Sequence, residues 1–190
     1  MRPCGQLIRA AILCVLILVA SLPGDARAGE GPHEQQQFLA NLTKLCGRTI
    51  EGATEFPENA DHPMVGKKLT LNFASCSDTE MRIPLQVGED KSRTWVLTVR
   101  GGKLLLKHDH RHADGTPDQQ TNYGGWAMDN GTAQRQRFAA DDETAKLIPE
   151  AATNIWTLEI DTENQRLIYA LERHNAPRYK AVFSLKPAAL

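Results

Sequence analysis

From Lys68 onward the chain keeps a two-residue hydrophobic period. Leu69, Leu71 and Phe73 alternate with more polar neighbours, Met81, Ile83, Leu85 and Val87 repeat the pattern, and Trp95, Leu97 and Val99 continue it. A strand sends successive side chains to opposite faces, so each run reads as a half-buried β-strand. Gly101-Gly102 then separates the third run from Lys103–Lys107, with the residues that a two-residue hairpin turn demands. Further runs cover Ala133–Ala139, Asn154–Ile160, Arg166–Glu172 and Arg178–Leu185, joined by turn-rich pieces such as Asp129-Asn130-Gly131 and Asp161-Thr162-Glu163-Asn164.

Two segments follow another period. Between Glu34 and Leu45, the residues Phe38, Leu39, Leu42 and Leu45 recur at three- and four-residue spacing, which predicts an amphipathic helix ending near Gly47. Its expected role is a lid or plug packed on the strands. Asp141 is placed to cap a short helix through Leu147, ahead of Pro149. Eight or nine short strands at hairpin spacing predict an all-β fold, an antiparallel lipocalin-like barrel or a sandwich, with that one N-terminal helix. Closure is favoured because an open sheet of this size leaves long edges and an uncovered face.

The first residues predict export. Arg2 and Arg9 supply positive charge, Ala10–Ala20 is apolar, Pro23-Gly24 breaks a helix, and Ala26-Arg27-Ala28 offers small residues for cleavage. Residues 1–28 are accordingly read as a cleaved signal peptide and 29–190 as a single β-barrel domain, periplasmic or secreted. The apolar run is well short of the roughly 20 residues that cross a bilayer, so no integral membrane segment is expected after cleavage. Cleavage removes Cys4 and Cys14, and an oxidising compartment then predicts a disulfide between Cys46 and Cys76.

Charge and motifs narrow the partners. The chain carries 22 Lys and Arg against 23 Asp and Glu, and it shows no basic stripe interleaved with aromatics, so no nucleic-acid partner is expected. There is no G-x-S-x-G elbow, no glycine-rich phosphate loop before a helix and no H-E-x-x-H.

One stretch carries candidate chemistry: Lys107-His108-Asp109-His110-Arg111-His112. Residues two apart on a strand share a face, so His108 and His110 can converge, and His112 joins them if the strand continues. The favoured function is a non-enzymatic barrel that binds a small molecule, with an anionic group as its expected feature, or an envelope component. Arg93, Lys107, His108, His110 and Arg111 would supply charge and polar contacts, and Tyr123 and Trp126 would cover the apolar part. No cofactor goes with this reading. The rival is a hydrolase-like, metal-dependent enzyme holding a divalent metal on His108, His110, His112 and Asp114, with an open position to activate water. A hydrogen-bonded network of Asp109, Asp114 and Asp118 with the histidines and Arg111 would instead tie down a long loop. A purely structural envelope protein is the third reading.

Resemblances add some context. Gly102, five further residues, His108-Asp109-His110 and then Asp114 partly resemble the first motif of the cupin family, which has glutamate at the last position and glycine where this chain has Thr121. Ser92-Arg93-Thr94-Trp95, the stretch from Leu106 to Gly115 and Tyr123-Gly124-Gly125 resemble a family of uncharacterised bacterial exported proteins. That likeness extends to Asn154-Ile155-Trp156 and Tyr169-Ala170-Leu171-Glu172-Arg173. It implies export and brings no activity with it; similarity to lipocalin-like barrels is architectural only.

Overall fold

The computed structural model describes residues 30–57, 61–129 and 131–187, so the segment 1–28 read as a signal peptide lies outside the described residues. Helix α1 spans Glu30–Thr43, and eleven strands follow: β1 Thr49–Phe56, β2 Leu69–Asn72, β3 Ser75–Cys76, β4 Glu80–Val87, β5 Asp90–Arg100, β6 Lys103–His110, β7 Tyr123–Ala127, β8 Arg135–Ala140, β9 Ile155–Asp161, β10 Arg166–Arg173 and β11 Ala176–Ser184. A short helix α2, Asp142–Leu147, lies between β8 and β9.

Every strand pairs antiparallel with its neighbours, in the order β2-β1-β11-β10-β9-β8-β7-β6-β5-β4-β3, and an additional β2–β4 pairing closes the ring. The result is a closed antiparallel barrel of ten strands among the described residues, with β3 as a two-residue appendage on β4. Closure leaves no sheet edge along the barrel wall, which settles barrel over sandwich.

The alternation seen in the sequence becomes the division between inside and outside. In the β5–β6 pair, Leu97 faces Leu106, Trp95 faces His108 and Arg93 faces His110, so a single inward layer runs from apolar to polar towards one end. Trp95, Leu97, Leu104, Leu106, Phe138, Trp156, Leu167 and Phe183 are buried in the same core.

Helix α1 packs on β6 and β8 and plugs the other end. Phe38 and Leu42 are fully buried, each worth about 1.5–3 kcal/mol of apolar burial. Gln35 accepts a hydrogen bond from the Leu104 amide at 2.8 Å, fixing the plug to the start of β6. The expected bridge is present: Cys46, just after α1, is bonded to Cys76 of β3 across 30 residues of sequence.

Besides the two-residue β3, two strands have no counterpart among the predicted runs. In β1 the alternation is weak because Gly52 and Thr54 occupy it; a Cβ at Gly52 would meet the Phe183 ring at 2.6 Å. In β7 the run Tyr123-Gly124-Gly125-Trp126 looks like a turn but pairs with both β6 and β8. A Cβ at Gly124 would stand 2.0 Å from the Leu106 carbonyl oxygen and one at Gly125 1.7 Å from that of Ala139. Glycine there serves close strand approach. The predicted cap on α2 is present, with the Asp141 carboxylate accepting from the Thr144 amide at 2.9 Å.

Candidate functional site at the barrel mouth

The plug closes one end, and the opposite end opens into a pocket. Strand β6 reaches this end with His108 and His110 on its inner face, as the period requires. His108 is 3% exposed, stacked on Tyr123 at 4.8 Å between ring centroids and close to the Trp156 ring. Its Nδ1 lies 3.2 Å from the Tyr123 carbonyl oxygen and its Nε2 lies 2.9 Å from the Tyr169 hydroxyl. Burial among aromatic rings, with positive charge from His110 and Lys107 adding to it, pushes the His108 pKa down to about 3, so the ring is neutral near pH 7.

Neutrality fixes the proton. A carbonyl oxygen only accepts, so Nδ1 carries the hydrogen and Nε2 accepts from Tyr169. A comparable bond joins the Tyr123 hydroxyl and His110 Nε2 at 3.1 Å. Burial, then the neighbouring Arg93 guanidinium, lowers the His110 pKa. Burial also raises the Tyr123 phenol to about 12 and the Tyr169 phenol well above its ordinary value.

The pocket encloses about 280 Å³, at the small end of ligand sites. Tyr123, Tyr169 and Tyr179, the only three tyrosines in the sequence, all line it. Trp156, Leu171 and Ile148 add apolar wall, while His62 and Met64 of the β1–β2 connection complete the rim. His62 stacks on Tyr179 at 5.0 Å.

Arg173, at the end of the inward phase Leu167, Tyr169, Leu171, also faces this space. Its Nε donates to the Asn154 side-chain oxygen at 2.8 Å, and no carboxylate pairs with it among the described residues. Glu150 lies on the exposed rim. Arg93 is different, because its guanidinium is paired with Asp90.

The remaining predicted residues fall elsewhere. Lys107, Asp109 and Arg111 point to the outer face. Lys107 Nζ pairs with Asp141 at 2.6 Å and Glu143 at 3.2 Å. Asp109, 4% exposed, accepts from Arg82 at 2.7 Å, Arg111 at 3.2 Å and the Thr121 hydroxyl at 3.3 Å. That cluster ties the β6–β7 loop to the wall, the structural role weighed for Asp109 and Arg111. Trp126 lies opposite Leu105 on the outside and is 40% exposed.

The four metal candidates do not assemble into a ligand set. Both ring nitrogens of His108 are occupied within the wall, His112 and Asp114 are exposed on the loop, and Asp114 accepts from Thr116. Among the described residues no group of three or more His, Cys, Asp or Glu side chains is arranged to hold an ion. The ligand candidates thus divide: His110 and Tyr123 line the mouth, His108 is buried against Tyr123 and Arg93 pairs across β5–β6 with His110, whereas Lys107, Arg111 and Trp126 lie elsewhere.

Sequence inspection missed Trp156, Tyr169, Arg173 and Tyr179. The signal was available in Arg173, a cation that continues the apolar phase of its strand. Comparison of the chain with protein-family models, with curated proteins and with solved structures finds no match.

Proposed function

We propose that the barrel is a non-enzymatic binding domain that holds a compact small molecule with an anionic group in its mouth. The observation that carries this is Arg173, a half-buried guanidinium on an aromatic-lined pocket whose single side-chain partner among the described residues is a neutral amide. A planar carboxylate would satisfy the donors left over, with the charge assistance that makes such bonds strong.

The packing limits ligand size. Trp95, Phe183 and Leu106 are buried in the core behind the pocket and take up space that a long acyl tail would need. The His108 pKa is driven down and the Tyr123 pKa up, so both groups stay uncharged near pH 7, the reverse of an acid–base pair poised for proton transfer. An exported setting, periplasmic or extracellular, is supported by the Cys46–Cys76 bridge.

Benzoate is a suitable probe, being a planar carboxylate well below the pocket volume. Isothermal titration into the purified protein should show a single site. Arg173→Gln, with its circular dichroism spectrum unchanged, should weaken binding about tenfold or more. Equal affinity in the variant would overturn the proposal.

A further inference from the structure

The hydroxyl hydrogens of the pocket floor are already assigned by their protein partners. Tyr169 must donate to His108, because the Tyr123 carbonyl holds the only ring hydrogen of the neutral imidazole on Nδ1. Tyr179 is constrained in the same way from another direction. The Thr54 hydroxyl donates its one hydrogen to the Met64 carbonyl at 3.1 Å, and so its 3.0 Å contact with the Tyr179 hydroxyl requires Tyr179 to be the donor. Both phenols therefore have lone pairs, and no hydrogen, left to offer a ligand. Their rings are adjacent, 6.1 Å between centroids, and both residues line the same pocket.

We infer that the ligand is bipolar: a hydrogen-bond donor, hydroxyl or amine, seats on the oxygens of Tyr169 and Tyr179 while its anionic group meets Arg173. This rests on the binding role proposed above and adds the direction in which the molecule lies. An anion at the floor would face phenol lone pairs with no hydrogen to offer and would be repelled. A ligand with only apolar groups there would strip water from both oxygens without replacing its hydrogen bonds, which is how a polar site rejects an analogue lacking the matching group. The flat faces of Tyr123 and Trp156 suit a ring between the two ends.

The test compares four acids in the purified protein by isothermal titration: benzoate, 4-methoxybenzoate, 4-hydroxybenzoate and 4-(aminomethyl)benzoate. The hydroxy acid should bind about tenfold more tightly than the methoxy acid, which matches it in shape but donates nothing. The aminomethyl acid separates a charged donor from a neutral one; preference for either supports the inference. In Tyr179→Phe and, separately, Tyr169→Phe, the advantage of the donor-bearing acids should shrink while 4-methoxybenzoate affinity holds. Tyr179→Phe leaves His108 untouched and so serves if Tyr169→Phe disturbs folding. Binding that depends on Arg173 yet is indifferent to the para substituent overturns the bipolar orientation alone. Failure of all four acids to bind overturns the binding role itself, and the orientation with it.

Discussion

The hydroxyl of Tyr169 stands 2.9 Å from Nε2 of His108 and donates to it, joining β10 to β6 across the inside of the barrel. The two residues are 61 positions apart in the chain. Neither group can leave without unpairing the other in a largely buried place, because His108 is 3% and Tyr169 8% exposed.

Replacing His108 by phenylalanine keeps a ring of similar size but abolishes both bonds, stranding the Tyr123 carbonyl and the Tyr169 hydroxyl. The expected cost is about 1–3 kcal/mol of folding stability, measurable by urea denaturation. A neutral effect would show that the imidazole is merely a space-filler.

Acid should destabilise the protein through the same residue. The ordinary histidine value is 6.5 and the native value of His108 is about 3. Below the first, the unfolded chain takes a proton that the native state refuses. The contribution of His108 is therefore complete above pH 6.5 and is lost as the pH falls from there towards 3, with a slope of at most about 1.4 kcal/mol per pH unit. His110 and His62 shift in the same direction and steepen the trend. The lowered carboxylates Asp90 and Asp161, at about 2, act in a more acidic window below 3.8. In His108→Phe the stability curve above that window should flatten; an unchanged slope there would contradict the assignment.

On the outside, Asp109 anchors the loop between β6 and β7. Arg82 and Arg111 are 40% and 50% exposed, so solvent screens much of the pairing and Asp109→Ala should cost about 1–2 kcal/mol. The clearer readout is local. Limited trypsin digestion should cut after Arg111 faster in the variant, and an unchanged rate would show that the loop is held by other contacts.

Reduction of Cys46–Cys76 frees the plug end. The bridge closes 30 residues and should contribute about 3 kcal/mol in the chain-entropy model. Denaturation with and without reductant measures it. Benzoate affinity at the opposite end should survive reduction under native conditions, and loss of binding would mean that plug and mouth are coupled.

Much of this architecture was legible because the inward positions of β4, β5, β6, β9, β10 and β11 are large and apolar, and that period survives any later folding. It fades where the barrel needs small residues inside, as at Gly52 against the Phe183 ring, or where backbones approach closely, as at Gly124 and Gly125. The shared face of His108 and His110 follows from the same period. It also sends Lys107, Asp109 and Arg111 outward, a separation that grouping by positive charge alone obscured. Tyr169, Arg173 and Tyr179 come from strands that only ring closure brings round to β6, and no local spacing encodes that meeting. Trp126 was misplaced because a turn-like glycine pair concealed a strand that points it outward.

Because all three tyrosines of the chain line the mouth, their rings report on it without interference from the rest of the protein. Protein labelled with ¹³C in its tyrosine rings gives signals from Tyr123, Tyr169 and Tyr179 alone. Adding 4-hydroxybenzoate should move all three together, with one saturation curve that Arg173→Gln displaces to higher concentration. Tyrosine signals that stay in place through the titration would contradict a ligand site at the barrel mouth.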